Sequence, residues 1–165
     1  GGQLPLELNE SLQVIPFATD ELALVLPINH PLSKSKELTK EDLYSLGFIT
    51  LDTQSTTRKV VDQLLSSSGL DVQRLNIEME LNSLEAIKNA VQSNLGAAFL
   101  PVVSIERELS GRSIHRAIVA DLEVTRELKV ITNPGRYSSR AAEAFTQDIL
   151  PLFASSFSPL FNAED

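Results

Sequence analysis

The chain has 165 residues, 42% hydrophobic and 22% charged, and its 14 lysines and arginines against 22 aspartates and glutamates give a net charge of −8. This length suffices for one domain, or two small lobes, burying about 70% of the unfolded surface, and no apolar run approaches the ~20 residues that span a bilayer. Scattered cations on an acidic chain exclude a surface that grips a duplex, and the absence of cysteine excludes disulfides, thiol nucleophiles and thiolate metal sites. No basic and apolar leader opens the sequence, so the expected location is the cytoplasm.

Strand-like and helix-like stretches alternate along the chain, the pattern of a parallel-rich α/β sheet flanked by helices. Residues 20–28 (DELALVLPI) read as an apolar strand, and Asn29-His30-Pro31 turns the chain. Thr39 and Asp42 have the spacing of a capping box for a short helix reaching Leu46. A strand over 48–51 follows, then a helix from Ser55 or Thr56 to about Ser67, with Val60, Val61, Leu64 and Leu65 on one face. Ser68-Gly69 stops it.

In residues 74–81 (RLNIEMEL), Leu75, Ile77, Met79 and Leu81 alternate with polar residues, which predicts a strand with one wet or polar-covered face. Residues 82–94 predict a helix, 95–100 a strand, and Pro101 the start of a helical segment ending before Ser110-Gly111. Two more strands are expected over 113–119 and 122–132, then a turn at Asn133-Pro134-Gly135. A last helix from Ser138 or Ser139 places Ala142, Phe145, Ile149, Leu152 and Phe153 on one side, and the tail from Ser155 is expected to fray.

Two strand-to-helix junctions carry more polarity than their neighbours. Asn82 with Glu85 suggests a capped start to one helix. The other junction, residues 51–58 (LDTQSTTR), gathers hydroxyls, an amide and a guanidinium. Capping or a polar turn would account for each alone. In a parallel sheet, however, both lie at the carboxyl edge, where ligands of such folds bind, and free amides at a helix start favour an anion. Thr53, Gln54, Ser55, Thr56, Thr57, Asn82 and Ser83 are therefore candidate ligands for a small carboxylate or phosphate, with Arg58 beside them. Arg58 is equally placed for an exposed pair with Asp62 one turn on. Leu100 and Pro101 could wall the site.

Catalysis finds little support. His30 and His115 are the two neutral-pH bases, and neither has a carboxylate or nucleophile at motif spacing. No G-x-S-x-G elbow, phosphate loop or H-E-x-x-H occurs. Glu78 and Glu80 read as charges on a wet strand face.

PFATDELALVLPINHPL at 16–32, the segment 43–51, S-T-T-R at 55–58 and, above all, NSLEAIKNAVQSNLGAAFLP at 82–101 together resemble the effector-binding domain of LysR-type transcriptional regulators. The resemblance runs from about Gly1 to Phe153. Gly1-Gly2 and the loop before TRKVVD look most like regulators of carbon dioxide fixation and inorganic-carbon uptake in autotrophic bacteria. The family's loop usually has a glycine where this chain has Thr56, which implies a differently shaped anion cradle.

The resemblance implies two Rossmann-like, periplasmic-binding-protein-like lobes with a small anionic effector in their cleft, such as 2-phosphoglycolate, 2-oxoglutarate or another phosphorylated or dicarboxylic metabolite, and no cofactor or metal. Residues 1–19 would end the first lobe and enter the hinge, 20–130 would form the second lobe, 131–154 would return to the first, and 155–165 would be tail. It implies a homodimer or homotetramer, and DNA contact only through an N-terminal winged helix-turn-helix outside these residues. The last helix would lack its sheet partner, so it is expected to be mobile, repacked on residues 1–17, or covered by another chain. A periplasmic-type solute-binding lobe has the same architecture and is the alternative.

Overall fold

The computed structural model describes residues 12–133, 135 and 139–152. They divide into two compact units, residues 21–125 and residues 12–20 with 126–152. The elements, in chain order, are β1 (Gln13–Pro27), α1 (Lys40–Leu43), β2 (Gly47–Leu51), α2 (Thr56–Ser67), β3 (Asn76–Leu81), α3 (Leu84–Gln92), β4 (Ala98–Pro101), α4 (Glu106–Ser110), β5 (Ile114–Ala117), β6 (Thr125–Thr132) and α5 (Arg140–Ala144).

The larger unit is a sheet buried on both faces. Strands β2 and β3 pair in parallel, a parallel bridge between Phe48 and Ala97 joins β2 to the start of β4, and β1 runs antiparallel to β4 and β5. Leu22, Leu24, Leu26, Phe48 and Phe99 pack with Leu65 of α2 on one face, whereas Ala23, Val25, Ile49, Ala98 and Leu100 pack with Ile87, Ala90 and Val91 of α3 on the other. Burial on both sides explains why β1 reads as an unbroken apolar run there rather than an alternation. The Phe48 and Phe99 rings stack at 5.8 Å between centroids, joining β2 to β4 across the bridge.

The ends of the helices follow local chemistry. Thr39 and Asp42 form the expected capping box, each side chain accepting the other's backbone amide, at 3.2 and 2.7 Å. The Thr39 amide and hydroxyl hold the Asp42 carboxyl below the usual carboxylate range. Helix α1 stops at Leu43, short of the expected Leu46. Helix α2 ends in a Schellman turn: Gly69 has φ 82°, and the Leu70 amide donates to the Leu65 carbonyl. Asn94, at φ 66°, repeats the device after α3, with the Leu95 amide on the Ala90 carbonyl.

Several expectations are corrected. Strand β1 begins at Gln13, seven residues earlier than the sequence suggests, because it also pairs with β6, which the polar Thr19-Asp20-Glu21 break conceals. Strand β4 begins at Ala98 rather than Leu95, since Leu95 completes the turn after α3 and is half exposed. Residues 72–74 form a 3-10 turn, so β3 starts at Asn76. A register shift opposite Phe48 and Ile49 then splits its alternating set, sending Ile77 into one core and Met79 and Leu81 into the other. Pro101 closes β4, and the helix beyond it starts only at Glu106, after a 3-10 turn.

In the smaller unit, Ser139 caps α5 by accepting the Ala142 amide at 3.2 Å. The helix continues through a π-turn, Phe145–Ile149, in which the Leu150 amide donates to the Phe145 carbonyl. Pro151 explains the wider turn, because its ring lacks an N–H and cannot sit above the carbonyl four residues back. Phe145, Ile149 and Leu152 are 49%, 41% and 68% exposed; Phe153, Pro134 and the tail lie outside the described residues. Asp20, its side chain 2% exposed, receives both Nε and Nη2 of Arg126 on one oxygen, at 2.9 and 2.7 Å, which fixes β6 beside β1.

Gly96 lets β4 approach β2. A Cβ there would lie 2.7 Å from the Gly47 carbonyl oxygen and 3.1 Å from Ile49 Cγ1. Gly96→Ala is expected to cost about 2 kcal/mol, the range of overpacked cores; urea unfolding with an unchanged midpoint would refute this account of the bridge.

Candidate functional site

The parallel pairing places two helix mouths side by side. Leu51 and Leu81 are register partners at the carboxyl ends of β2 and β3, and the Asp52 amide donates to the Leu81 carbonyl at 3.1 Å. Four residues separate β2 from α2 and two separate β3 from α3, so both helices begin on the same sheet edge.

Serines cap both. Ser55 Oγ accepts the Arg58 amide at 3.4 Å, and Ser83 Oγ accepts the Ala86 amide at 3.1 Å. The cap of α3 is thus Ser83 and not Asn82. Ser83 has the extended backbone of a cap, φ −147° and ψ 149°, while Asn82 is exposed and Glu85 turns instead to Lys88. A capping hydroxyl spends a lone pair on its helix and keeps its proton for an outside acceptor. The amides of Thr56, Thr57, Leu84 and Glu85 precede the first intrahelical bonds and have no acceptor among the described residues.

The remaining candidates divide. Thr53, Gln54 and Thr56 are exposed, and the Gln54 amide is already taken by Asp52 Oδ1 at 2.9 Å. Thr57, Arg58 and Pro101 line a mostly apolar cavity of about 40 Å³, floored by Leu22, Phe48 and Phe99. Leu100 has no exposed surface and packs under α3, because alternation along β4 turns it away from the cavity, which it does not line.

Arg58 and Asp62 form the (i, i+4) pair, but not an exposed one: the arginine side chain is 12% exposed. Its Nε lies 2.8 and 2.7 Å from the two Asp62 oxygens, its Nη1 donates to the Leu51 carbonyl at 3.0 Å, and Glu80 stands 3.7 Å away. His30 caps a 3-10 turn through Nδ1 and His115 pairs with Leu26 inside the sheet, so neither stands at this edge. No group of three or more metal-type side chains is present among the described residues.

Sequence reasoning missed Lys88. Its ammonium, 9% exposed by side chain, donates to Glu85 at 2.7 Å, Glu108 at 3.0 Å and the Ser104 carbonyl at 3.0 Å, which locks α3 to α4. Its three donors meet three acceptors, the condition for burying an ammonium. The available signal was a lysine between Ile87 and Ala90 on an otherwise apolar helix face.

With this geometry, similarity to known proteins is informative. The family model described as LysR substrate binding domain matches residues 2–153. The chain belongs to that family. The probable RuBisCO transcriptional regulator of Trichormus variabilis is 57% identical over 155 residues, 94% of this chain and 46% of that protein; its namesake in Porphyra purpurea is 56% identical over 94% of this chain and 49% of that protein. The chain therefore spans about half the length of the curated relatives it matches. Among solved structures, the Synechocystis PCC6803 CcmR regulatory domain in complex with 2-PG has a TM-score of 0.74 at 22% identity, covering 97% of this chain and 73% of that one. The effector-binding domain of QuiR in complex with shikimate has a TM-score of 0.71 at 20% identity, covering 93% and 70%. The fold is the periplasmic-binding-protein-like α/β fold of LysR effector-binding domains.

The Lys88 network carries a pH signature. Lys88 holds the Glu108 carboxyl below its ordinary range, and Glu85, with Glu108, raises the lysine. A lowered carboxylate stabilises above its unfolded pKa and loses that contribution as pH falls through the folded one; a raised lysine loses its share as pH rises past its folded value. Lys88→Met is expected to cost about 2 kcal/mol near neutrality, below the full penalty of a broken buried pair because Glu85 lies in solvent, and to flatten the acid limb. Denaturant midpoints between about pH 3 and 7 that keep the native slope would count against this assignment.

Proposed function

We propose that this chain is the effector-sensing domain of a LysR-type transcriptional regulator of carbon-assimilation genes, and that it binds a small anionic metabolite at the paired mouths of α2 and α3. The observation that carries the reading is the junction itself: two serine-capped helices that follow Leu51 and Leu81, register partners of adjoining parallel strands. Free amides and the positive ends of two helix dipoles converge there, and each is favourable to an anion.

The donors are the hydroxyls of Thr53, Ser55, Thr56, Thr57 and Ser83, the carboxamides of Gln54 and Asn82, and the amides of Thr56, Thr57, Leu84 and Glu85. Pro101 borders them. Suitable ligands are 2-phosphoglycolate, 2-oxoglutarate and other phosphorylated or dicarboxylic metabolites; the 2-PG bound by the CcmR regulatory domain is of this class. The unit of residues 21–125 serves as the second effector lobe, and residues 12–20 and 126–152 belong to the first. Relatives named as transcriptional regulators rather than enzymes or transport proteins favour this reading over a solute-binding lobe. The complete protein would be a cytoplasmic homodimer or homotetramer that meets DNA through an N-terminal winged helix-turn-helix. Effector binding alters its arrangement only through a difference in affinity between the two states.

Calorimetric titration of the complete regulator with 2-phosphoglycolate, 2-oxoglutarate, ribulose bisphosphate and phosphoenolpyruvate is expected to show one that binds. Ser55→Ala and Ser83→Ala should weaken it about tenfold, as each removes a donor worth roughly 1.5 kcal/mol to a charged group. Ser83→Asp separates capping from recognition, because aspartate caps as well as serine but sets a negative charge in the mouth. It should keep the native melting temperature and lose more affinity than Ser83→Ala; equal binding by Ser83→Asp and the parent would sink the site.

A further inference from the structure

We infer that Arg58 is a positioning residue of the anion site and not one of its ligands, an inference that rests on the reading of the helix mouths given above. A guanidinium among hydroxyls at a helix start would ordinarily be assigned to the anion. Its bonds point elsewhere.

Arg58 occupies the third position of α2, where a cation faces the positive end of the dipole. The pair with Asp62 also runs in the less favourable direction along a helix, with the cation nearer the N-terminus. Helix stability alone therefore does not account for an arginine here. Asp62 and Glu80 balance its charge, so the guanidinium offers the mouth no uncompensated positive potential, and moving to an anion would strand a carboxylate and the Leu51 carbonyl.

What the side chain does reach is the frame of the site. Leu51 is the last residue of β2, Asp62 lies in the second turn of α2, and Glu80 precedes the register partner of Leu51 on β3. One planar group thus ties three elements whose relative placement fixes the loop 52–55 and the distance between the two mouths. Donors to an anion must be held within about 0.5 Å of their working positions, and the planar fork of arginine holds several acceptors at once in a way lysine does not.

Titrations of the full-length regulator with 2-phosphoglycolate, well below the melting temperature of each variant, separate the two roles. A positioning role predicts that Arg58→Gln and Asp62→Asn each weaken binding about tenfold, a usual cost of losing a supporting contact at other ligand sites. The double variant should then be no worse than either single one, and Arg58→Lys should not restore affinity. An arginine that contacts the anion predicts the opposite sign for Asp62→Asn, which frees the guanidinium and tightens binding; that result, or full affinity in Arg58→Gln, overturns the proposal. Amide hydrogen exchange supplies a readout without ligand. Exchange over residues 52–57 should accelerate in Arg58→Gln, and unchanged exchange there also overturns the positioning role, whereas failure of the parent protein to bind any anion overturns the reading of the mouths alone.

Discussion

The parallel pairing of β2 with β3 is the constraint on which the rest of the larger unit depends. Parallel neighbours cannot be joined by a tight turn, so the chain must return along a helix packed against the sheet. Here that return is α2. The next helix, α3, covers the opposite face, and the two starts are consequently set against one edge by the ladder that ends at Leu51 and Leu81. Nothing in the helices themselves would bring their mouths together. The bulge at Glu78 is part of the same solution, since without it Ile77, Met79 and Leu81 would all face one core.

On an acidic chain, the proposed binding of an anion needs a local explanation. At physiological salt a charge is screened within about 8 Å, so the net charge of −8 slows the approach of an anion but does not set the potential inside a helix mouth. What matters there is which donors are free. Serine at both caps, rather than the aspartate that would cap equally well, keeps a hydroxyl proton to donate and adds no negative charge. Asp52 and Glu85 are the exceptions: the Asp52 carboxylate is turned to the Gln54 amide, where it shapes the loop, and that of Glu85 to the Lys88 ammonium.

Much of this was legible in the sequence, and the gaps have physical causes. The helix from Ser55 or Thr56 to about Ser67, the capping box at Thr39 and the strand over 48–51 follow from local chemistry that a few neighbouring residues decide. The cap of α3 was displaced by one residue because Asn82 and Ser83 are both good caps, and the choice depends on where β3 releases the chain. The early start of β1 depends on β6, more than a hundred residues away, and the burial of Arg58 and Lys88 depends on partners supplied by β3 and α4. Leu100 was placed at the site by its position in the chain, whereas the side on which it points is fixed by the register of β4 against β1.

Lys88, buried, and Arg58, partly buried, are cations of the same larger unit, each held by two carboxylates and one backbone carbonyl. Such clusters stabilise little in net terms, because desolvation offsets much of the attraction; their effect is to make one arrangement of elements far better than its neighbours. Lys88 ties the middle of α3 to Glu85 in its first turn and to Glu108 of α4, and Arg58 fixes the beginning of α2. Between them, the two helices that carry the free amides are anchored through charge networks lying off the sheet edge. Asp52 and Glu85 apart, the edge itself is left to neutral hydroxyls and amides, and the amides of Thr56, Thr57, Leu84 and Glu85 have no partner among the described residues to surrender.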